Sequence, residues 1–243
     1  MKKLKILSSF DIKIIAMITM IIDHIGYFFY FKFDDYIYTI LRSIGRISMP
    51  LFVFLIYQGY KHTKSLKKYI LRLLELAIVT QALTLIVGVI FNMIDSSYAI
   101  TFYMKPNIIF SFAISLLLLE LYSKLYDTKS KEEKFIGIIT VIGLLSTYIL
   151  VDIEYGFIIP FIITILFLYD KIVEHKKFFF TISILIFLLL FSENIMIYSL
   201  FAIIPIMLYS GKKGYSNNKI FYYFYPFQYL FLMILGFIVY KNW

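Results

Sequence analysis

Apolar residues in this chain fall in long runs, separated by short polar stretches. Nine runs read as helices: 12–31, 36–59, 70–93, 106–122, 135–151, 155–170, 178–192, 195–210 and 220–240. A helix needs about 20 residues to cross the roughly 30 Å hydrocarbon layer of a bilayer. The pattern therefore predicts an all-α integral membrane protein, a polytopic bundle of about nine transmembrane helices forming a single domain over residues 1–243. The runs 135–151, 155–170 and 178–192 are short for full spans, so re-entrant segments or a thin bilayer enter here and the count is bracketed at eight to ten.

The loops between runs test this count. With the N-terminus inside, the inner segments carry Lys2, Lys3, Lys5 and Lys13, then Lys61, Lys64, Lys67 and Lys68. Further along they carry Lys124, Lys129, Lys131 and Lys134, then Lys171, Lys176 and Lys177, then Lys212, Lys213 and Lys219. These are 18 of the 24 basic residues. The outer segments hold Lys32, Lys105 and Lys241, and the acids Asp34, Asp35, Asp95, Asp152, Glu154 and Glu193. This alternation is the positive-inside pattern, and it predicts an N-in/C-out orientation. The basic start ahead of an apolar run resembles a signal peptide. Asp23 and His24 within the run, with no small-residue cleavage site after it, read instead as a retained first helix.

Composition narrows the class further. The chain of 243 residues is 61% hydrophobic and 20% aromatic, with mean hydropathy +0.85. A soluble domain is about 45–50% apolar, so lipid is the solvent that accommodates the excess. The net charge of +9 follows from the inner loops rather than from a nucleic-acid surface. The absence of Cys excludes disulfides, thiolate metal sites and a Cys nucleophile, and three His make a multi-His metal site a poor expectation. No Walker loop, dinucleotide glycine turn, GxSxG or HExxH occurs.

Candidate chemistry lies in the first two runs. Asp23 and His24 sit in the first, Arg42 and Arg46 in the second. Ionisable groups inside a membrane helix are costly and point to a functional site. Counting about 1.5 Å per residue from the run ends puts Asp23, His24 and Arg46 near middle depth, with Arg42 one turn nearer the outside. A short connection makes the two helices antiparallel neighbours, and Gly26 and Gly45 permit close approach. An Asp23–Arg46 ion pair follows, with a purely structural role as the alternative. One carboxylate cannot balance two guanidiniums, so the surplus charge suits an anionic ligand such as a phosphate or pyrophosphate. A His beside a carboxylate is a candidate general base.

Other polar groups carry less. Gln58, Gln81, Asn107 and Gln228 are at depth, where interhelical hydrogen bonds are the ordinary role. Lys61 and His62 lie at the inner end of the second run, either as lipid contacts or as a landing site for a phosphorylated donor. Asp152, Glu154 and Glu193 face outside and suit either helix-end solvation or an acceptor's amine.

Several stretches resemble the TraX family of membrane proteins. They are Ile14 to Gly26, Leu41 to Phe54, Gly59 to Thr63 and Lys68 to Leu73, with looser matches at Pro106 to Phe110, Glu154 to Gly156, Leu208 to Gly214 and Phe224 to Gln228. The resemblance implies a multi-pass acetyltransferase of the bacterial cytoplasmic membrane. It would move an acetyl group from cytoplasmic acetyl-CoA, with no metal, to the N-terminal amine of an exported peptide or protein. It also implies roles: His24 as base, Asp23 as its orienting or neutralising partner, Arg42 and Arg46 as donor-side or oxyanion-side charge. His62 and Asn107 would join the donor side, with Gln58, Gln81, Tyr225 and Gln228 as further polar lining. Gln58 and Gln81 stand where the family pattern has acids, and Gln228 where its Tyr-Pro element ends in His. Three other functions fit the same residues: O-acylation of a surface glycan, a proton-coupled small-molecule transporter, and a non-catalytic interaction protein.

Overall fold

The computed structural model describes residues 5–98, 104–171, 183–184, 186–187, 190, 194–215 and 218–242. The described residues are almost wholly helical. In chain order they form α1 (Ser9–Phe28), a 3-10 turn (Tyr30–Lys32), α2 (Asp35–Gly45), α3 (Ser48–His62), α4 (Leu66–Ile94), α5 (Ile108–Asp127), α6 (Lys131–Leu150) and α7 (Ile158–Lys171). A 3-10 helix (Ile195–Ala202), the short α8 (Ile203–Met207) and α9 (Asn218–Lys241) follow.

Local sequence explains the helix starts. Ser8 and Asp11 form a reciprocal capping box on α1, with N–H to oxygen distances of 2.8 and 3.3 Å. Asp34, Asn107 and Ser130 are the N-caps of α2, α5 and α6, each side chain accepting from a first-turn N–H.

The run 36–59 was expected as one helix, and the chain instead breaks at Arg46 and Ile47. Pro50 accounts for this. Its ring lacks an N–H and would press on the carbonyl of Arg46, four residues earlier, so α3 restarts with Pro50 in its first turn.

Among the described residues, five helical stretches are long and apolar enough to cross a membrane: Asp35–His62 (taken across the break), Leu66–Ile94, Ile108–Asp127, Lys131–Leu150 and Tyr222–Lys241. Helix α1 matches the first expected run but carries Asp11, Lys13 and Asp23 within its 20 residues. Helix α7 has 14 residues, and the run 195–210 becomes a 3-10 helix followed by α8. The run 178–192 lies largely outside the described residues. Helices α4 and α6 turn Ile78, Leu83, Ile86, Ile136, Ile139 and Ile142 outward, each more than two-fifths exposed. Such continuous apolar faces belong against lipid.

The chain divides into two units: Met1–Leu55 with Val89–Ile100 and Phe180–Trp243, and Ile56–Gly88 with Thr101–Phe179. In the first, α1 packs along α2 and against α9, and α2 also meets the 3-10 helix Ile195–Ala202. The α1–α2 crossing is tight. A Cβ on Gly45 would overlap the side chain of Asp23, and one on Gly26 would come 2.9 Å from Leu41 Cβ. Tyr98 closes the far end of α1 by donating to the Phe28 carbonyl at 2.9 Å. Beside it Lys241 pairs with Asp95 at 3.0 Å. Hydrogen bonds from Ser97 and then Lys241 hold the Asp95 carboxyl down at about 2. At the other end of α1, Ser210 donates its N–H to the Leu7 carbonyl at 2.7 Å, and Ser9 meets Tyr209 at 2.9 Å.

In the second unit α5 packs against both α6 and α7. Tyr148 donates to the Ser111 carbonyl and Tyr122 meets Thr164. Lys61 and Tyr57 both bind Asp170, at 3.0 Å.

The glycine at the crossing gives a direct check. Gly45→Ala should destabilise the purified protein by roughly 1–3 kcal/mol through overpacking. Gly143→Ala, on α6 with nothing within 4 Å of the added carbon, should stabilise by up to about 1 kcal/mol. Thermal melts in detergent then move in opposite directions.

Candidate functional site: a buried charge cluster beside His24

Asp23 and His24 are consecutive on α1, so their side chains leave the helix about 100° apart. Asp23 turns to α2 and His24 turns to α9. Both are buried, with 5% and 8% of their surface exposed.

Asp23 receives two guanidiniums. Arg42 Nη1 lies 2.9 Å from Oδ2 and also donates to the Asp23 backbone carbonyl at 3.2 Å. Arg46 Nη2 donates to Oδ1. The two arginines are i, i+4 and share a face of the α2 end. Arg46 is the C-cap of α2, and its Nε donates to the Arg42 carbonyl at 3.2 Å, satisfying a helix end where cations are favoured. Its Nη1 meets Met196 Sδ at 3.9 Å, and the Arg42 guanidinium lies 5.1 Å from the ring centre of Tyr27. The three ionised side chains carry a net charge of one positive unit.

His24 is held from the other side. Gln228 Nε2 lies 2.7 Å from His24 Nδ1. The imidazole is boxed by the rings of Tyr229, Phe28 and Tyr225, at centroid distances of 5.1, 6.0 and 6.5 Å. Gln228 and Tyr229 are themselves buried. Asp23 therefore neutralises arginine, and the residue on the His24 ring nitrogen is Gln228. Helix α1 ends at Phe28, so His24 lies about 6 Å from that end. This is nearer the end than the middle depth expected from the apolar run.

The first unit thus brings together Asp23, His24, Arg42, Arg46, Tyr225 and Gln228. Four participants were missed from the sequence, Tyr27, Phe28, Met196 and Tyr229. None is distinguishable by type from the surrounding apolar and aromatic residues, although Tyr229 follows Tyr225 by one helical turn on the face that bears Gln228.

Asn107 and Gln81 meet each other in the second unit. Asn107 caps α5, accepting from Ile109 N–H at 3.1 Å, while its Nδ2 donates to Ala77 O at 2.9 Å and to Gln81 Oε1 at 3.1 Å. Glu154 Oε2 accepts the Ile108 N–H at 3.0 Å. These contacts secure the start of α5, and Asp152 pairs with Lys105 at 2.7 Å. Gln58 is half-buried and His62 exposed near the end of α3. Among the described residues no three His, Asp or Glu converge as a metal site requires.

Removing the shared carboxylate takes away the anion that Arg42 and buried Arg46 both bind. Asp23→Asn should cost roughly 3–5 kcal/mol in thermal unfolding. The double variant with Arg46→Met should recover part of that loss, since the two changes act on one interaction.

Comparison with known proteins now places the chain. It is 33% identical over 112 residues to the probable fimbrial assembly protein FimC, serogroup H1, of Dichelobacter nodosus. That match covers 46% of this chain and 45% of the relative, so the chain spans under half the length of the curated relative it matches. No solved structure matches. The family model described as TraX protein matches residues 8–238, which include every member of the charge cluster, and the chain belongs to the TraX family.

Proposed function

We propose that this membrane protein is an acyltransferase that moves an acetyl group from cytoplasmic acetyl-CoA to the N-terminal amine of an exported peptide or protein. The observation that carries the reading is the cluster itself. An imidazole and a carboxylate that holds two arginines occupy consecutive positions of one helix and face different partners. The TraX family and the fimbrial assembly name of the relative support a pilin-like acceptor. The inner-loop lysines support nine spans, N-in/C-out, in a bacterial cytoplasmic membrane. In that orientation the end of α1 near His24 is the outer one, from which an exported acceptor arrives.

The chemistry assigns each side chain a part. The amine nitrogen attacks the thioester carbonyl carbon, forming a C–N bond as the C–S bond breaks. His24 takes the proton that the amine loses and passes it to the departing thiolate, so the products are an N-acetyl amide and CoA thiol. Arg42 and Arg46, with one carboxylate between them, stabilise negative charge on the donor phosphates or on the tetrahedral oxyanion. Asp23 sets where those guanidiniums sit.

The test uses purified protein, acetyl-CoA and a peptide with a free N-terminus, read by mass spectrometry. His24→Ala should lower transfer roughly 100-fold or more while acetyl-CoA still binds. Arg42→Ala should weaken acetyl-CoA binding. Undiminished transfer by His24→Ala would remove His24 from the mechanism. No binding and no hydrolysis of acetyl-CoA would favour a transporter. Acetylation of a glycan without any peptide shift would replace the amine acceptor by a hydroxyl.

A further inference from the structure

His24 makes its ring-nitrogen contact with an amide, not with a carboxylate. Its Nδ1 is 2.7 Å from the end of Gln228, two helices meeting through one hydrogen bond. Which ring nitrogen carries the proton is set by the bond the other makes. With Nδ1 occupied, Nε2 is the nitrogen left to meet a reacting group. Serving as a base there requires the ring proton to be on Nδ1 and donated to an acceptor.

Gln228 can be that acceptor. The other end of its amide, Oε1, is buried with no hydrogen-bond partner among the described residues. Turning the amide over exchanges oxygen and nitrogen at nearly the same positions and breaks no other bond at the oxygen. With the oxygen on Nδ1–H, the Nε2 lone pair is free. The surroundings leave this work to Gln228. From α1, Asp23 is committed to Arg42 and Arg46 of α2, which offer donors and no acceptor. From α9, Tyr225 and Tyr229 present ring faces and edges to the imidazole.

We propose that Gln228 is the positioning residue of the site, holding His24 in the tautomer with its proton on Nδ1 so that Nε2 is the base. This rests on the acyl-transfer reading for its purpose, though not for its test. The amide does not titrate, so the tautomer is held without adding a negative charge beside the Asp23 cluster.

The decisive experiment is nitrogen-15 NMR of histidine-labelled protein in detergent. The chain has three histidines, so a His62→Gln/His175→Gln background leaves His24 alone. The intact site should show a neutral ring protonated on Nδ1. Gln228→Leu should move the proton to Nε2, the form free imidazole side chains prefer, and Gln228→Glu, an acceptor only, should restore the Nδ1 signature. Gln228→Met is a second apolar variant should Leu fail to fold, with thermal melting as the control. In transfer assays the apolar variants should lose at least about tenfold in kcat with the KM for acetyl-CoA changed by less than about twofold, and Glu should recover much of it. A ring protonated on Nε2 in the intact site, or a spectrum unmoved by both apolar variants, overturns the proposal. Absence of any acetyl transfer by the wild type would overturn the acyl-transfer reading alone, because the spectrum still decides the tautomer.

Discussion

The carboxylate of Asp23 lies between two guanidiniums in a place that excludes water, and much of the first unit follows from keeping it there. Glycine at position 45 is required because any side chain would occupy the carboxylate's space. Glycine at position 26 lets the neighbouring turn of α1 come equally close to α2. The break after Gly45 brings Arg46 to a helix end, where its Nε caps a backbone carbonyl while its terminal nitrogens reach Asp23 and Met196. A buried ion cluster of this kind is a poor source of stability, because desolvating the charges costs about as much as their attraction returns.

The same helix separates two tasks. One residue further along, His24 faces away from the arginines into an aromatic box closed by Gln228. Consecutive helical positions do not face each other, so the arginine contacts of Asp23 and the Gln228 contact of His24 are separated by helix geometry. An amide on Nδ1 suits this arrangement. An amide adds no charge beside the cluster.

Much of this was legible in the sequence. Charges inside apolar runs marked Asp23, His24, Arg42 and Arg46, and the glycines marked the close crossing. The count of charges led to an Asp23–Arg46 pair with one arginine in surplus; that Arg42 binds the other oxygen of the same carboxylate was not legible. The partner of His24 was not legible, because adjacency in sequence drew attention to Asp23 while the true contact spans 204 positions. The end of α1 was overrun because Phe29, Tyr30 and Phe31 continue the apolar pattern into a separate 3-10 turn. Asn107 makes the interhelical hydrogen bonds expected of a polar group at depth, to Ala77 and Gln81, while its N-cap role is one that only the start of α5 reveals. Pro50 did announce the break after Arg46, but an apolar run on both sides hid it.

The central claim is that the acetyl group reaches an acceptor on the opposite face from its donor. Sealed proteoliposomes loaded with carbon-13-labelled acetyl-CoA, with the inner-loop side facing in and a peptide supplied outside, test it most directly. The account predicts labelled N-acetyl peptide outside and CoA thiol retained inside. An unlabelled peptide in the presence of acetyl-CoA hydrolysis, or labelled peptide only when donor and acceptor share one compartment, would contradict it.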